Sequence, residues 1–363
     1  DEPEKVKPTY QHSKAIMNFL EQEMGVAYPW SRYSQVPVQD FLYGAMENTT
    51  ATIFGDFYYG NKRQQLDRDY TYVNAHELVH HWFGDYVTLN SDEHAWLHES
   101  FATHYGRLAE RHLYGQQYYQ RIREQQLQRA LSAAEKNTRP IQHTQAGTNR
   151  IYPKGALVLG MLKDVVGMEA FDRVETHFLK KHAYSNVTPH DFYMAFQEVL
   201  GRNLDWFFDQ WIKRGGVPHY RINYQVSEAS KVLIQVEQIH ETNDLVGYFR
   251  MPVELEVHFR DGSRQTLRRA VRGASTTLSI TKPEDKKIAY ILFDPENRIV
   301  KRETFEQSVK VLKAKAMKAP YMIARYDAVK KLRGKASTAK LEALRAIYTS
   351  ADHHLVRQEV LKQ

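Results

Sequence analysis

Ala15, Ile16, Phe19, Leu20 and Met24 recur at helical spacing within residues 9 to 24, and Gly25 closes the pattern. A short strand signal follows around Ser34 to Val38. In the next stretch, "DFLYGAMENTTATIFGDFYYG", the glycines and threonines favour strand or loop over helix. From Asp69 to residue 218 the apolar period is mainly helical, with segments near 72–83, 94–113, 117–136, 154–166, 169–182, 188–200 and 203–213.

At "KRGGVPHY" the chain is punctuated by Gly215, Gly216 and Pro218, and the period then changes from helical to alternating. Tyr220, Ile222, Tyr224 and Val226 share one face, and Met251, Val253, Leu255, Val257 and Phe259 repeat the alternation up to an Asp261-Gly262 turn. Residues 219–303 therefore predict a small antiparallel β-sandwich. Beyond 304 helical spacing returns around "SVKVLKAKAM", "YMIARYDAVKKLRG" and "TAKLEALRAIYTS", the start of a stacked-helix array. The expected fold is multidomain α+β: a mainly helical domain over 1–218, the sandwich over 219–303 and a partial helical repeat domain over 304–363.

Composition narrows the class. With 363 residues, 42% hydrophobic and 26% charged, the chain buries a sizeable core and is too apolar for general disorder. No stretch approaches the roughly 20 apolar residues of a membrane span. The opening "DEPEKVKPTYQH" lacks the basic flank and apolar centre of a secretory signal, so the expectation is a cytoplasmic chain, one exported and processed, or an excised segment. There are no cysteines, which leaves imidazole and carboxylate as the metal ligands on offer. The net charge of +7 is concentrated late, with twelve Lys or Arg against three Asp or Glu between 301 and 340. No aromatic stacking series interleaves with that run, so it reads as a solvated basic face and implies no specific nucleic-acid or membrane partner.

The chemistry is concentrated in residues 74–106, "NAHELVHHWFGDYVTLNSDEHAWLHESFATHYG". His76 and His80 stand four positions apart, which on a helix brings both imidazoles to one face. Glu77 between them is placed to accept a proton from a metal-activated water. HExxH also occurs on ordinary helices, so the extended spacing matters. Eighteen residues separate His80 from Glu99, and Gly84 with "LNSDEH" allows one helix to end and a second to return. A returning helix would add the Glu99 oxygen as third ligand and leave one position for water.

Gly44-Ala45-Met46-Glu47-Asn48, His76-Glu77-Leu78-Val79-His80, "HWFG" at 81–84, "WLHES" at 96–100 and "YPKG" at 152–155 together resemble the aminopeptidase N family of zinc gluzincins, whose signatures are GAMEN, HExxH-x18-E and a tyrosine in YxKG. The resemblance implies a thermolysin-like catalytic domain to about 218, a small β-sandwich to about 303 and the first helices of a superhelical domain. It also implies one zinc ion on His76, His80 and Glu99, Glu77 serving the water, and Tyr152 donating a hydrogen bond to the oxygen that becomes negative. Glu47 would bind the ammonium of a free peptide N-terminus, with Gly44, Ala45, Met46 and Asn48 completing the substrate contact. Tyr43 is a candidate cushion for the first substrate side chain or an ordinary packing residue. Phe41, Tyr58 and Tyr59 around it permit an apolar pocket. Lys154 is expected to be structural, and Gly155 to permit close backbone approach.

The expected function is zinc-dependent removal of N-terminal residues from peptides; the alternative is a catalytically weak peptide-binding or scaffold fragment of an aminopeptidase. Glu47 favours exopeptidase over endopeptidase action. Before Glu99 the sequence reads "SDEHAWLHES" where the family commonly has "WWNDLWLNEG". Glu93 is expected to orient an imidazole in place of the usual aspartate, and His94 and His98 to pack or hydrogen-bond instead of ligating. The family's usual β-rich N-terminal domain has no counterpart in the sequence, and the resemblance therefore implies weakened or altered activity for this polypeptide alone.

Overall fold

The computed structural model describes residues 3–227, 231–335 and 338–363. The fold is α+β, and the chain divides into two compact units, Asp1–Gly216 and Val217–Gln363.

The first unit opens with helices α1 (Pro3–Tyr10) and α2 (Ser13–Met24), the second ended by Gly25 at φ +62°, a left-handed conformation glycine adopts without strain. Strands β1 (Ser34–Val38), β2 (Ala45–Met46) and β3 (Ala51–Gly55) form one sheet in the order β1-β3-β2, with β1 parallel and β2 antiparallel to β3. Helices α3 (Thr71–Val79), α4 (Trp96–Tyr114), α5 (Gln116–Lys136), α6 (Gly155–Val166), α7 (Met168–Lys181), α8 (Pro189–Leu200) and α9 (Asp205–Phe208) follow. A short parallel pair, β4 (Val87–Leu89) with β5 (Ser185–Val187), links the loop after α3 to the one after α7. The interior is strongly aromatic: Phe83 stacks on Phe101 at 4.0 Å, and Phe171, Phe178, Phe192 and Trp96 are buried around them. Asn74 of α3 donates to Ser13 of α2 at 2.8 Å and accepts from Gln35 of β1 at 2.6 Å. These bonds fix the start of α3.

One helix is shorter than its apolar pattern predicts. The period continues to residue 83, yet α3 ends at Val79. Beyond it the N–H groups of His81 and Trp82 reach back only three residues, to Leu78 and Val79, and the Asp85 N–H takes the His80 carbonyl at 2.9 Å. Gly84 is needed here, because a Cβ would lie 2.6 Å from the His80 carbonyl oxygen.

The second unit holds a four-stranded sheet ordered β10-β7-β6-β12 and a three-stranded sheet ordered β11-β8-β9. Its strands are β6 (His219–Val226), β7 (Lys231–Gln238), β8 (Met251–Phe259), β9 (Arg264–Val271), β10 (Ser275–Thr281), β11 (Ile288–Phe293) and β12 (Arg302–Phe305). The alternation buries Val232, Ile234 and Val236 of one sheet and Val253, Leu255 and Val257 of the other. One pairing departs from the all-antiparallel expectation: β12 runs parallel to β6 along the sheet edge. On β6 the alternation outlasts burial, since Tyr220 and Ile222 are buried whereas Tyr224 and Val226 are exposed. Among the described residues four helices follow where three segments were expected: α10 (Val309–Lys318), α11 (Met322–Leu332), α12 (Thr338–Ser350) and α13 (His354–Leu361). Leu312, Val329, Leu332, Ile347 and Val356 form their common core. Among the described residues no helix is long and apolar enough to cross a membrane.

Candidate metal centre

Two helices build the centre. His76 and His80 project from the end of α3, and Glu99 from the first turn of α4, which packs along α3. His76 Nε2 stands 3.2 Å from His80 Nε2, and Glu99 Oε2 lies 3.1 Å from the first and 3.5 Å from the second. Ligands about 2.0–2.1 Å from a tetrahedral zinc ion stand roughly 3.3 Å apart, so the three atoms already have the spacing such an ion requires.

Each imidazole is aimed by a bond on its far nitrogen. His80 Nδ1 donates to the Phe83 carbonyl at 3.0 Å, which the tightened turn after Val79 brings into reach. His76 Nδ1 meets the Tyr72 hydroxyl at 3.3 Å, and that hydroxyl donates to Thr103 Oγ1 at 3.2 Å. The Arg107 guanidinium covers the Tyr72 ring at 3.3 Å. Both arrangements leave Nε2 facing the other ligands. Tyr72 was legible in principle, being one helical turn before His76; the Phe83 carbonyl has no side-chain signal.

Glu93 does not take the orienting role expected of it. Its carboxylate lies 3.2 Å from His94 Nε2 and is half exposed, while the far nitrogens of His76 and His80 are taken by the Tyr72 hydroxyl and the Phe83 carbonyl. His94 Nδ1 bonds Asn90 at 2.8 Å, and His98 Nε2 accepts the Leu89 N–H at 2.8 Å. Both are engaged in hydrogen bonds, as expected, and His76, His80 and Glu99 stand as the candidate ligands.

Glu77 is buried, and its carboxyl is pushed up to about 8 by burial first and then by the charges of Glu47 and Glu99, against the opposing pull of His80. Burial alone would lower His80. Glu99, Glu47 and Glu77 outweigh it and push the imidazole up to about 10. Three carboxylates thus converge on two imidazoles, a donor set that favours a cation. Glu47, between β2 and β3, brings Oε1 to 3.8 Å from His80 Nδ1, and Glu47, Glu77 and His80 form a second cluster with atoms within 4.8 Å of one another. A Cβ at Gly44 beside it would stand 2.7 Å from the Tyr58 hydroxyl, so that side chain would have to shift to admit one.

Tyr152 sits on a π-helical turn, Arg150–Lys154, in which the Gly155 N–H reaches back to the Arg150 carbonyl. Its ring lies nearly parallel to that of His76 at 5.7 Å. Burial, followed by the charge of Glu99 and a hydrogen bond to it, raises the phenol well above its ordinary value and keeps the proton on. The turn is held from below. Ser100 Oγ donates to the Ile151 carbonyl at 2.7 Å, and Gly155 lies so close that a Cβ would stand 1.8 Å from that hydroxyl. Lys154 is buried and donates to the Gly216 carbonyl at 2.9 Å, the structural part expected of it. Tyr43 is exposed and touches Phe41 edge-on, with ring centres 6.1 Å apart.

Two imidazoles one helical turn apart and a carboxylate from the adjoining helix form a cluster that could hold a metal ion, with a buried glutamate beside it. The peptidase family M1 domain is matched over residues 9–211, more than half of the chain, and the chain belongs to that family. Leucyl aminopeptidase of Saccharolobus solfataricus is 29% identical over 276 residues, covering 71% of this chain and 35% of that protein. Aminopeptidase M1-C of Oryza sativa subsp. japonica is 30% identical over 218 residues, 56% of this chain and 24% of the relative. Tricorn protease-interacting factor F2 of Thermoplasma volcanium is 27% identical over 263 residues, 69% and 33% respectively. The chain spans about a quarter to a third of the length of these relatives. Among solved structures, Legionella pneumophila aminopeptidase A in complex with aspartic acid shares the fold, with a TM-score of 0.80 at 17% identity over 98% of this chain and 43% of the other.

Proposed function

We propose that this chain carries the catalytic centre of a zinc-dependent aminopeptidase, in a thermolysin-like domain, hydrolysing the first peptide bond of peptides with a free N-terminus. The observation that carries the reading is a carboxylate outside the ligand trio: Glu47, 3.8 Å from His80 Nδ1, where a substrate ammonium would be held at fixed distance from the ligands. His76, His80 and Glu99 would hold the zinc. Zinc, when bound, supplies Lewis acidity that makes water a nucleophile at neutral pH and polarises the scissile carbonyl. Glu77 accepts the proton of the attacking water, and the phenol of Tyr152 donates a hydrogen bond to the oxygen that gains charge. The strand carrying Ala45 and Met46 is at the edge of its sheet, so its outer backbone groups can pair with an extended peptide beside Gly44 and Asn48.

The test is a peptide panel in which each free N-terminus is paired with its acetylated counterpart, assayed with and without added zinc. Zinc-dependent cleavage of the free peptides alone is expected. Cleavage of both partners would mean an endopeptidase, and no cleavage by a chain holding one tightly bound zinc would sink the catalytic reading.

A further inference from the structure

The residue after the second ligand is a histidine that the proposed chemistry does not use. His81 is fully buried. Its Nδ1 donates to the Glu77 carbonyl, one turn back along α3, at 3.2 Å, and its Nε2 accepts the backbone N–H of Thr50 at 3.1 Å. These two bonds join the metal helix to the turn that follows Glu47 and Asn48.

That turn needs holding. Thr50 has φ +66°, a left-handed conformation that a β-branched side chain disfavours. Ala51 N–H closes the turn on the Asn48 carbonyl at 2.8 Å, and the Thr50 carbonyl accepts Ser34 N–H from β1 at 2.8 Å. The remaining polar group of the Thr50 backbone, its N–H, goes to His81. Asp85, from the turn after α3, brings Oδ2 to 3.8 Å from His81 Nε2. Tyr28 and Tyr33 lie against the His81 ring at 5.5 and 5.1 Å and fix its plane. Without the bond to the imidazole this strained turn would be free to relax, and the loop carrying Glu47 could move away from α3.

We infer that His81 is a positioning residue for substrate-amine recognition: it ties the Gly44–Ala51 segment to the metal helix, and so sets where the Glu47 carboxylate stands relative to the ligands. The functional half of this inference rests on the aminopeptidase reading; the structural half does not. A glutamine can reproduce both bonds, donating from its amide nitrogen to the Glu77 carbonyl and accepting the Thr50 N–H on its oxygen, whereas leucine reproduces neither and asparagine is too short to span them.

The experiment compares the full chain with His81→Leu and His81→Gln, with His81→Asn taking the place of the leucine variant should that one not fold. Amide hydrogen exchange of the metal-stripped proteins reads the tie itself. Exchange across residues 48–51 should speed up by about tenfold in His81→Leu, the loss of one hydrogen bond, and return towards wild type in His81→Gln. Calorimetry on the zinc-loaded proteins, each also carrying Glu77→Gln so that the probe is not cleaved, reads recognition, with L-leucinamide as the amine-bearing probe and 4-methylpentanamide as its counterpart without the amine. Affinity for the first should fall about tenfold in His81→Leu, affinity for the second should hold, and His81→Gln should restore the difference. Unchanged exchange in His81→Leu overturns the tie. Faster exchange with an equal loss for both probes, or with none, overturns the role in amine recognition. A wild-type protein that does not prefer leucinamide at all, yet shows the exchange effect, places the failure in the reading of Glu47 and not in the tie.

Discussion

Two buried charge clusters, one in each unit, are built in opposite ways. In the second, Lys301 and Asp294 are both buried and meet at 2.7 Å, with Asn297 completing the ammonium's partners and the backbone N–H groups of Arg298 and Ile299 completing the carboxylate's. That charge is cancelled within the chain. In the first, the charged groups acting most strongly on buried Glu77 are His80, Glu47 and Glu99, and no Lys or Arg is among them. One arrangement is closed and structural; the other carries a surplus of negative charge that a bound cation and a substrate ammonium would answer. The contrast separates buried charges that hold a fold from those that await a ligand.

The sharpest way to break this contrast is Glu77→Gln. It should lower kcat by about 10²–10⁴-fold, the usual worth of a general base, while zinc content measured by atomic absorption stays at one per chain. Normal turnover with normal zinc would remove Glu77 from its role. In the second unit Lys301→Met should cost about 3–5 kcal/mol in urea denaturation, because Asp294 is left buried and unpaired. Its zinc stoichiometry should not change, and a stability within about 0.5 kcal/mol of wild type would mean that the pair is not the closed arrangement described.

A third effect is one of slope. Burial, then the charge of Arg150, pushes Lys154 down from 10.5 to about 7. Between those two values the unfolded chain keeps a proton that the folded chain has lost, so the penalty for burying Lys154 is complete below pH 7 and is relieved as pH rises through the window. Wild type should therefore gain stability relative to Lys154→Met between pH 7 and about pH 9.5, read from urea midpoints; parallel curves would contradict the assignment. The smallest effect belongs to Ser100→Ala, about 1 kcal/mol for the bond to the Ile151 carbonyl. A drop in kcat with little change in KM would link that bond to the placement of Tyr152, and an unchanged kcat would confine it to stability.

Much of the centre was legible because its logic is spacing. Three residues between His76 and His80, and eighteen between His80 and Glu99, are properties of a string, and helical geometry turns them into a cluster. The helices of the first unit and the alternating strands of the second follow from apolar period in the same way. What escaped sequence reading depends on backbone groups far along the chain. His81 looks like a neighbour of the motif until Thr50 is found 31 residues away, and Ser100 like a departure from the usual glycine until the Ile151 carbonyl is found 51 residues away. The last helix, His354–Leu361, is eight residues long and too short for its period to stand out. Glu93 misled because proximity in sequence says nothing about which imidazole a carboxylate meets, and this one meets His94.

The π turn at Arg150–Lys154 makes the placement of Tyr152 a matter of counting as much as of chemistry. A π turn is an α-helix carrying one additional residue, and each residue of an α-helix corresponds to about 100° of rotation. Deleting Ile151 would leave the tyrosine, lysine and glycine of the signature in order and let the turn close as ordinary helix, while swinging everything ahead of the deletion by that angle. A sequence comparison would still find the motif intact. The turn carrying Tyr152 would lose its register between the residues before it and the helix from Gly155, so an unbroken signature and the placement of the phenol beside His76 part company over a single missing residue.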